Sequence, residues 1–121
     1  LGGAIAPGIK TSATALFEHT AKLPNVDLET PNRVICKNTI ENMQAGLIFG
    51  QMGLAERIIE GMKKELVSDY GKKYEDIKVI ATGGMATMVD SGVSCIDVID
   101  RRLTLDGLVE VYEKNKAVRK K

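Results

Sequence analysis

Ile77-Lys-Val-Ile-Ala-Thr-Gly-Gly-Met85 is the stretch on which the reading of this chain turns. Within it, Lys78 to Ala81 reads as a short buried strand, because a β-branched apolar run stops abruptly at a glycine pair. Gly83 and Gly84 carry no Cβ, so a ligand can approach the backbone there and the chain can adopt turns closed to other residues. A strand that breaks at Thr82-Gly83-Gly84 and leads into a helix, expected over Met85 to Asp90, is a common way of holding a nucleotide at the carboxyl edge of a sheet. An ordinary strand-to-helix turn would use the same residues, so the rest of the chain has to decide between the two.

Working outward, Ser91-Gly92 ends the short helix, and Cys95 to Ile99 alternates like a further strand with Ile96 and Val98 on one face. Thr104 can cap a last helix whose first turn holds Asp106, where a negative charge meets the helix dipole favourably. Leu105, Leu108, Val109 and Tyr112 would give that helix its buried face. On the other side, Tyr70 to Asp76 is a charged connection. Before it, Asn38 can cap a helix while Glu41, three residues on, returns the hydrogen bond as a capping box. An apolar face through Ile40, Met43, Leu47, Leu54, Ile58, Met62 and Leu66 keeps helical period from there, and Lys63 and Lys64 suit its carboxyl end. Unbroken, it measures roughly 40 Å. Gly46, Gly50 and Gly53 each cost such a helix on the order of 1 kcal/mol relative to alanine. Close packing of another backbone against Gly46 and Gly50 is the expected compensation.

Towards the amino end, Leu1 to Ala6 alternates like the tail of a strand and Pro7-Gly8 turns it. Ile9 to Leu23 has helical spacing up to Pro24, with His19 on its surface and without a second metal ligand at suitable spacing. Asn25 to Pro31 reads as a connection and Arg33 to Cys36 as a brief extended piece.

The bulk properties fit one globular domain. Of 121 residues, 44% are hydrophobic and 27% charged, and 17 basic side chains stand against 16 acidic ones. That balance creates no field favouring nucleic acid or an anionic membrane. The longest apolar stretch, near Gly46 to Leu54, is too short and glycine-rich to span a bilayer. Cys36 and Cys95 form no CxxC motif and nothing resembles a secretory signal, so a cytoplasmic location is expected. Strands alternating with helices give the class α/β. Only about three strands are visible where a sheet usually has more, and the chain opens at Leu1-Gly2-Gly3 without a methionine, so a fragment is expected.

Gly2-Gly3-Ala4-Ile5-Ala6-Pro7-Gly8, Lys37-Asn38-Thr39 and Thr82-Gly83-Gly84 can each present backbone amides or a hydroxyl to a ligand, two of them beside helix amino termini that favour anions. None includes a general base, a metal cluster or a nucleophile paired with a base. They describe a binding surface with no catalytic group of its own.

In that order and spacing, GGAIAPGIKTSATALFEHTAKLP, KNTIENMQAGLIFG, KVIATGG and IDRRLTLDGLVEVYEKN resemble the carboxyl-terminal half of type III pantothenate kinases. The resemblance covers essentially the whole chain. It implies the ribonuclease-H-like fold of the actin-like ATPase superfamily, with 1–121 as a carboxyl-terminal lobe of mixed sheet and flanking helices that lacks its first strands. It also implies transfer of the γ-phosphoryl group of ATP to pantothenate, the first step toward coenzyme A, by a homodimer needing Mg2+ and a monovalent cation, K+ or NH4+. Residue by residue, Thr82, Gly83 and Gly84 match the adenosine motif. Thr39, beside Asn38, matches the threonine that meets pantothenate, and its hydroxyl could serve ligand and helix cap alike. Gly2, Gly3, Pro7 and Gly8 match a strand-turn segment near the substrate and the dimer seam. Cys36 stands where glycine is usual and Ala45 where serine is common. The family's phosphate-binding segments, general base and cation-binding aspartate belong to its amino-terminal half, so no acidic residue here is assigned a catalytic or metal role. Relatives have also been described as transcription accessory factors, which makes a regulatory protein of the same fold the alternative.

Overall fold

The computed structural model describes residues 1–20, 23–84 and 92–118. Three helices, α1 (Ile9–Glu18), α2 (Thr39–Tyr70) and α3 (Leu103–Val118), and two strands, β1 (Ile80–Ala81) and β2 (Val98–Ile99), make a small α/β unit. A single 3-10 turn, Tyr74–Asp76, lies between α2 and β1.

The helix α2 is the axis of the fold. Its 32 residues extend about 48 Å at 1.5 Å per residue. Asn38 caps it as the sequence requires: the Glu41 N–H donates to Asn38 Oδ1 at 2.9 Å. The reciprocal half of the expected capping box, from the Asn38 N–H to the Glu41 carboxylate, is not among the hydrogen bonds of the described residues. At the other end Gly71 takes the left-handed conformation, φ 61°, and Lys72 N–H closes back onto the Leu66 carbonyl at 3.1 Å. Lys63 and Lys64 therefore fall two turns before the true end.

The core forms where α1 and the segment entering β2 meet the first half of α2. Ile9, Leu47, Ile48, Met52 and Val93 are buried together, with Ala13, Phe49, Cys95 and Ile96 packed around them. Gln44, also buried, donates from Nε2 to the Asp27 carbonyl at 2.8 Å and so fastens the α1–α2 connection to α2. The inward face of α2 is rotated from the expected one. Met43 and Leu47 are inside, but Ile40 is 50% exposed and Ala45, Ile48 and Met52 take the buried positions. Nothing approaches Gly46, Gly50 or Gly53 within 4 Å of where a Cβ would stand. The expected close packing at these glycines is absent among the described residues, and α2 tolerates them because packing of its opposite face holds it.

Other boundaries are shorter than the patterns predict. α1 ends at Glu18 rather than near Leu23, with the His19 N–H on the Ala15 carbonyl at 3.1 Å and the Thr20 hydroxyl on the Leu16 carbonyl. Leu1 to Ala6 is exposed and unpaired, since no described strand lies beside it to complete a ladder. Arg33 to Cys36 bends instead of extending, and the Cys36 thiol donates to the Arg33 carbonyl at 3.2 Å. The expected helix over Met85 to Asp90 and its stop at Ser91 lie outside the described residues.

The two strands are parallel, Ile80 opposite Val98 and Ala81 opposite Ile99. They occupy only the last halves of the predicted Lys78 to Ala81 and Cys95 to Ile99. This pair stands where a mixed sheet was expected. α3 begins one residue before Thr104, so Thr104 is inside its first turn rather than capping it. Asp106 is in that first turn as expected and pairs with Arg102 at 3.1 Å. The predicted buried face of α3 is solvent-exposed: Leu105, Leu108, Val109 and Tyr112 are each 60–62% accessible.

Candidate nucleotide and substrate surface

The described residues place the predicted site residues at three stations along α2. Thr82, Gly83 and Gly84 follow the carboxyl end of β1, the position at which parallel sheets receive ligands. Gly83 sits at φ +100°, a conformation L side chains rarely adopt, so the turn requires glycine there. Thr82 faces a groove of about 500 Å³ bounded by β1, by Gln51, Ala55 and Ile59, which repeat every four residues on one face of α2, and by the start of α1. Gly8 opens α1 with no side-chain cap, so the first amides of α1 lie beside Lys10 and Thr11 at one wall of this groove. Such an amide set favours an anionic group.

Asn38 and Thr39 occupy the start of α2. Asn38, not Thr39, does the capping. The exposed Thr39 hydroxyl has no hydrogen-bond partner among the described residues and is available to a ligand. Gln51 lies twelve residues further along α2, about 18 Å at the helical rise. Thr39 and the groove that Thr82 lines with Gln51 are therefore separate stations rather than one pocket.

Gly2 and Gly3 lie elsewhere. They line a cleft of about 570 Å³ against Arg57, Gly61 and Glu65, on the carboxyl-terminal half of α2. Gly61 is twenty-two residues beyond Thr39, about 33 Å along the axis. The structure does not bring Gly2 and Gly3 to Thr39. Their segment has no strand beside it among the described residues to fix its path, and it settles against exposed apolar surface of α2.

Polar groups gather on the side of the sheet away from the glycine turn. The Asp97 carboxylate accepts the Val79 N–H at 2.7 Å and pairs with Lys78 at 3.7 Å. The Val79 hydrogen bond holds the Asp97 carboxyl below the ordinary aspartate range, with the Lys78 and Lys63 ammonium groups acting in the same direction. Lys63, largely buried, has its ammonium 5.0 Å from the centroid of the Tyr74 ring. The Tyr74 hydroxyl donates to Glu60 Oε2 at 2.7 Å, which raises the phenol and lowers the carboxyl from their usual values.

Lys10, Thr11 and Gln51 at the groove, and Asp97 beneath it, are absent from the sequence reading. Gln51 could have been found as a polar residue within an apolar helical face. Asp97 could not, because its role depends on a parallel register between segments eighteen residues apart. Among the described residues no three His, Cys, Asp or Glu side chains group as a metal site. Chemically this surface can bind and orient, and no side chain in it is paired as base to nucleophile.

The profile of the type III pantothenate kinase family matches residues 1–61, which include Gly2, Gly3, Asn38 and Thr39 and stop inside α2, before the Thr82-Gly83-Gly84 turn. Sixty-one of 121 residues, spanning α1, the capped start of α2 and its buried first half, carry that family's pattern, and on this ground the chain belongs to the type III pantothenate kinase family.

Proposed function

We propose that this chain forms the adenosine-binding and part of the pantothenate-binding surface of a kinase that phosphorylates pantothenate to 4'-phosphopantothenate, the entry to coenzyme A. The family is a phosphotransferase family, which implies ATP and pantothenate as substrates. The observation that carries the local assignment is the glycine turn at the carboxyl end of β1, opening on a groove walled by Gln51, Ala55 and Ile59. In this reading Gly83 and Gly84 admit the adenosine moiety to the backbone and Thr82 offers it a hydroxyl. Thr39 donates to or accepts from pantothenate at the head of α2, and Asn38 holds that helix end in place. Both substrates would be oriented by one helix, and positioning supplies much of what phosphoryl transfer asks of a protein.

ATP reacts as its magnesium complex in such enzymes, and magnesium neutralises the charge on the transferred phosphoryl group. No step is assigned to Mg2+ or to the monovalent cation through this chain, and among the described residues no three His, Cys, Asp or Glu side chains group as a metal site. No general base is assigned among them. In this reading, which follows the family resemblance, the 121 residues alone are expected to be inert. A homodimer in the cytoplasm belongs to the same proposal. The described helices include none long and apolar enough to cross a membrane.

The test is pantothenate-dependent ADP release by the product of the complete reading frame containing this stretch, with ATP, magnesium and potassium supplied. Release that requires pantothenate is the expected result. A folded protein that releases no ADP, and that ATP fails to protect against thermal unfolding, would move the assignment to a regulatory protein of the same fold.

A further inference from the structure

We propose that Asp97 is a positioning residue for the nucleotide turn, a reading that rests on the kinase function above. The parallel pair that carries Thr82 is only two residues long on each side. So short a ladder specifies its register weakly, and a slip of one residue would turn each side chain of β1, and the Thr82 that follows, to the opposite face. Asp97 removes that freedom. It stands one residue before β2, and its carboxylate takes the N–H of Val79, one residue before β1, at 2.7 Å. Its own N–H meanwhile donates to the Val79 carbonyl at 3.0 Å. The Val98 N–H of β2 reaches the same Val79 carbonyl at 3.2 Å, so what Asp97 adds to the ladder is the carboxylate bond to the Val79 N–H.

Lys78 strengthens the grip, its ammonium 3.7 Å from the other carboxylate oxygen. Downstream, the Asp100 N–H meets the Ala81 carbonyl at 2.9 Å. Between these two anchors the chain has no room to shift, and it leaves them directly into Thr82 and the φ +100° turn at Gly83. Asp97 does not itself line the groove or the turn but bonds Val79, which lines the groove, so its effect on a nucleotide is exerted through the placement of β1. An asparagine there could still accept the Val79 N–H through its amide oxygen, whereas alanine could not.

The experiment compares D97A and D97N with the wild-type complete kinase by steady-state kinetics in both substrates, with folding checked by thermal melts. D97A should raise KM for ATP at least fivefold while KM for pantothenate stays within twofold. D97N should return KM for ATP to within twofold of wild type. An unchanged KM for ATP in D97A, an equal rise in both constants, or a D97N as impaired as D97A would each overturn the assignment. Hydrogen exchange in the unmutated protein gives a check free of any variant: the Val79 amide should be protected, and exchange as fast as an open amide overturns the clamp. A wild-type protein that neither turns over nor binds ATP would instead sink the kinase reading, and this one with it.

Discussion

The Tyr74 hydroxyl donates to the Glu60 carboxylate at 2.7 Å, tying the turn before β1 to the second half of α2. The same ring lies over the Lys63 ammonium, and Lys64 pairs with Glu60 at 3.2 Å, so four side chains share the joint. Glu60, Lys64 and Tyr74 are solvent-accessible, with only Lys63 buried, so the joint contributes modestly and through its pH dependence. The raised phenol of Tyr74 contributes stability that is complete below the ordinary tyrosine value, about 10, and is lost as pH rises through the higher folded value. The lowered carboxyl of Glu60 contributes stability present above the ordinary glutamate value, about 4.3, and lost as pH falls through the lower folded value. Tyr74→Phe should therefore lower Tm slightly at neutral pH and flatten both the acid and alkaline limbs of the melting profile. Limbs that stay as steep as in wild type would remove the pair from the stability of the domain.

A larger effect is expected at the centre. Ile48 is 1% exposed and is the most buried large side chain of the core. Ile48→Ala should cost about 2–5 kcal/mol, a large part of the roughly 5–15 kcal/mol that holds a typical domain together. Gly92 gives the contrasting case. A Cβ there would come within 2.8 Å of Met52 Cε, itself buried in the same cluster. Gly92→Ala forces the flexible end of Met52 to shift within the core, at no more than about 1–3 kcal/mol, and that increment should shrink in a Met52→Ala background, which itself costs about 2–5 kcal/mol. Denaturant midpoints of the single and double variants measure the coupling, and strict additivity would mean the two positions do not touch.

What the sequence discloses and what it hides divide along the range of the interactions. Asn38 as the cap, helical period through Met43 and Leu47, and a strand that ends at Thr82-Gly83-Gly84 depend on neighbours within a few residues and stand where predicted, although that strand is not buried as expected, Ile80 being 50% exposed. The rotation of α2 that buries Ile48 and Met52, the exposure of Leu105 and Leu108 on α3, and the grip of Asp97 on Val79 depend on which distant segment arrives at which face. Apolar periodicity marks a face as suited to burial but contains nothing about what covers it. Gly2 and Gly3 were assigned to the substrate by likeness to a family motif, and in this chain their segment has no strand beside it among the described residues to carry it there.

The carboxyl end of α2 offers a backbone test. Gly71 adopts φ 61°, where an L residue pays about 1–2 kcal/mol. Gly71→Ala should destabilise by roughly 1 kcal/mol, and Gly71→Asn by less, since asparagine enters the left-handed region more readily. Nothing stands within 4 Å of its Cβ position, so crowding plays no part. Equal denaturation midpoints for glycine and alanine would mean that α2 ends differently in solution.

At the other end of α2, capping and substrate contact are separable because adjacent residues carry them. Asn38→Ala removes the acceptor for the Glu41 N–H and should cost about 0.5–2 kcal/mol of stability, with Asn38→Asp retaining most of it. Thr39 has no hydrogen-bond partner among the described residues, so Thr39→Val should leave the melting temperature of the complete kinase nearly unchanged. Its effect belongs to the substrate: loss of one hydrogen bond, about 0.5–1.5 kcal/mol, raises KM for pantothenate roughly two- to tenfold and leaves KM for ATP alone, since the groove at Thr82 is twelve or more residues away along the helix. A Thr39→Val enzyme with both constants unchanged would take Thr39 out of the site. One that shifts the ATP constant instead would show that the head of α2 and the groove at Thr82 are not the independent stations that the length of the helix makes them.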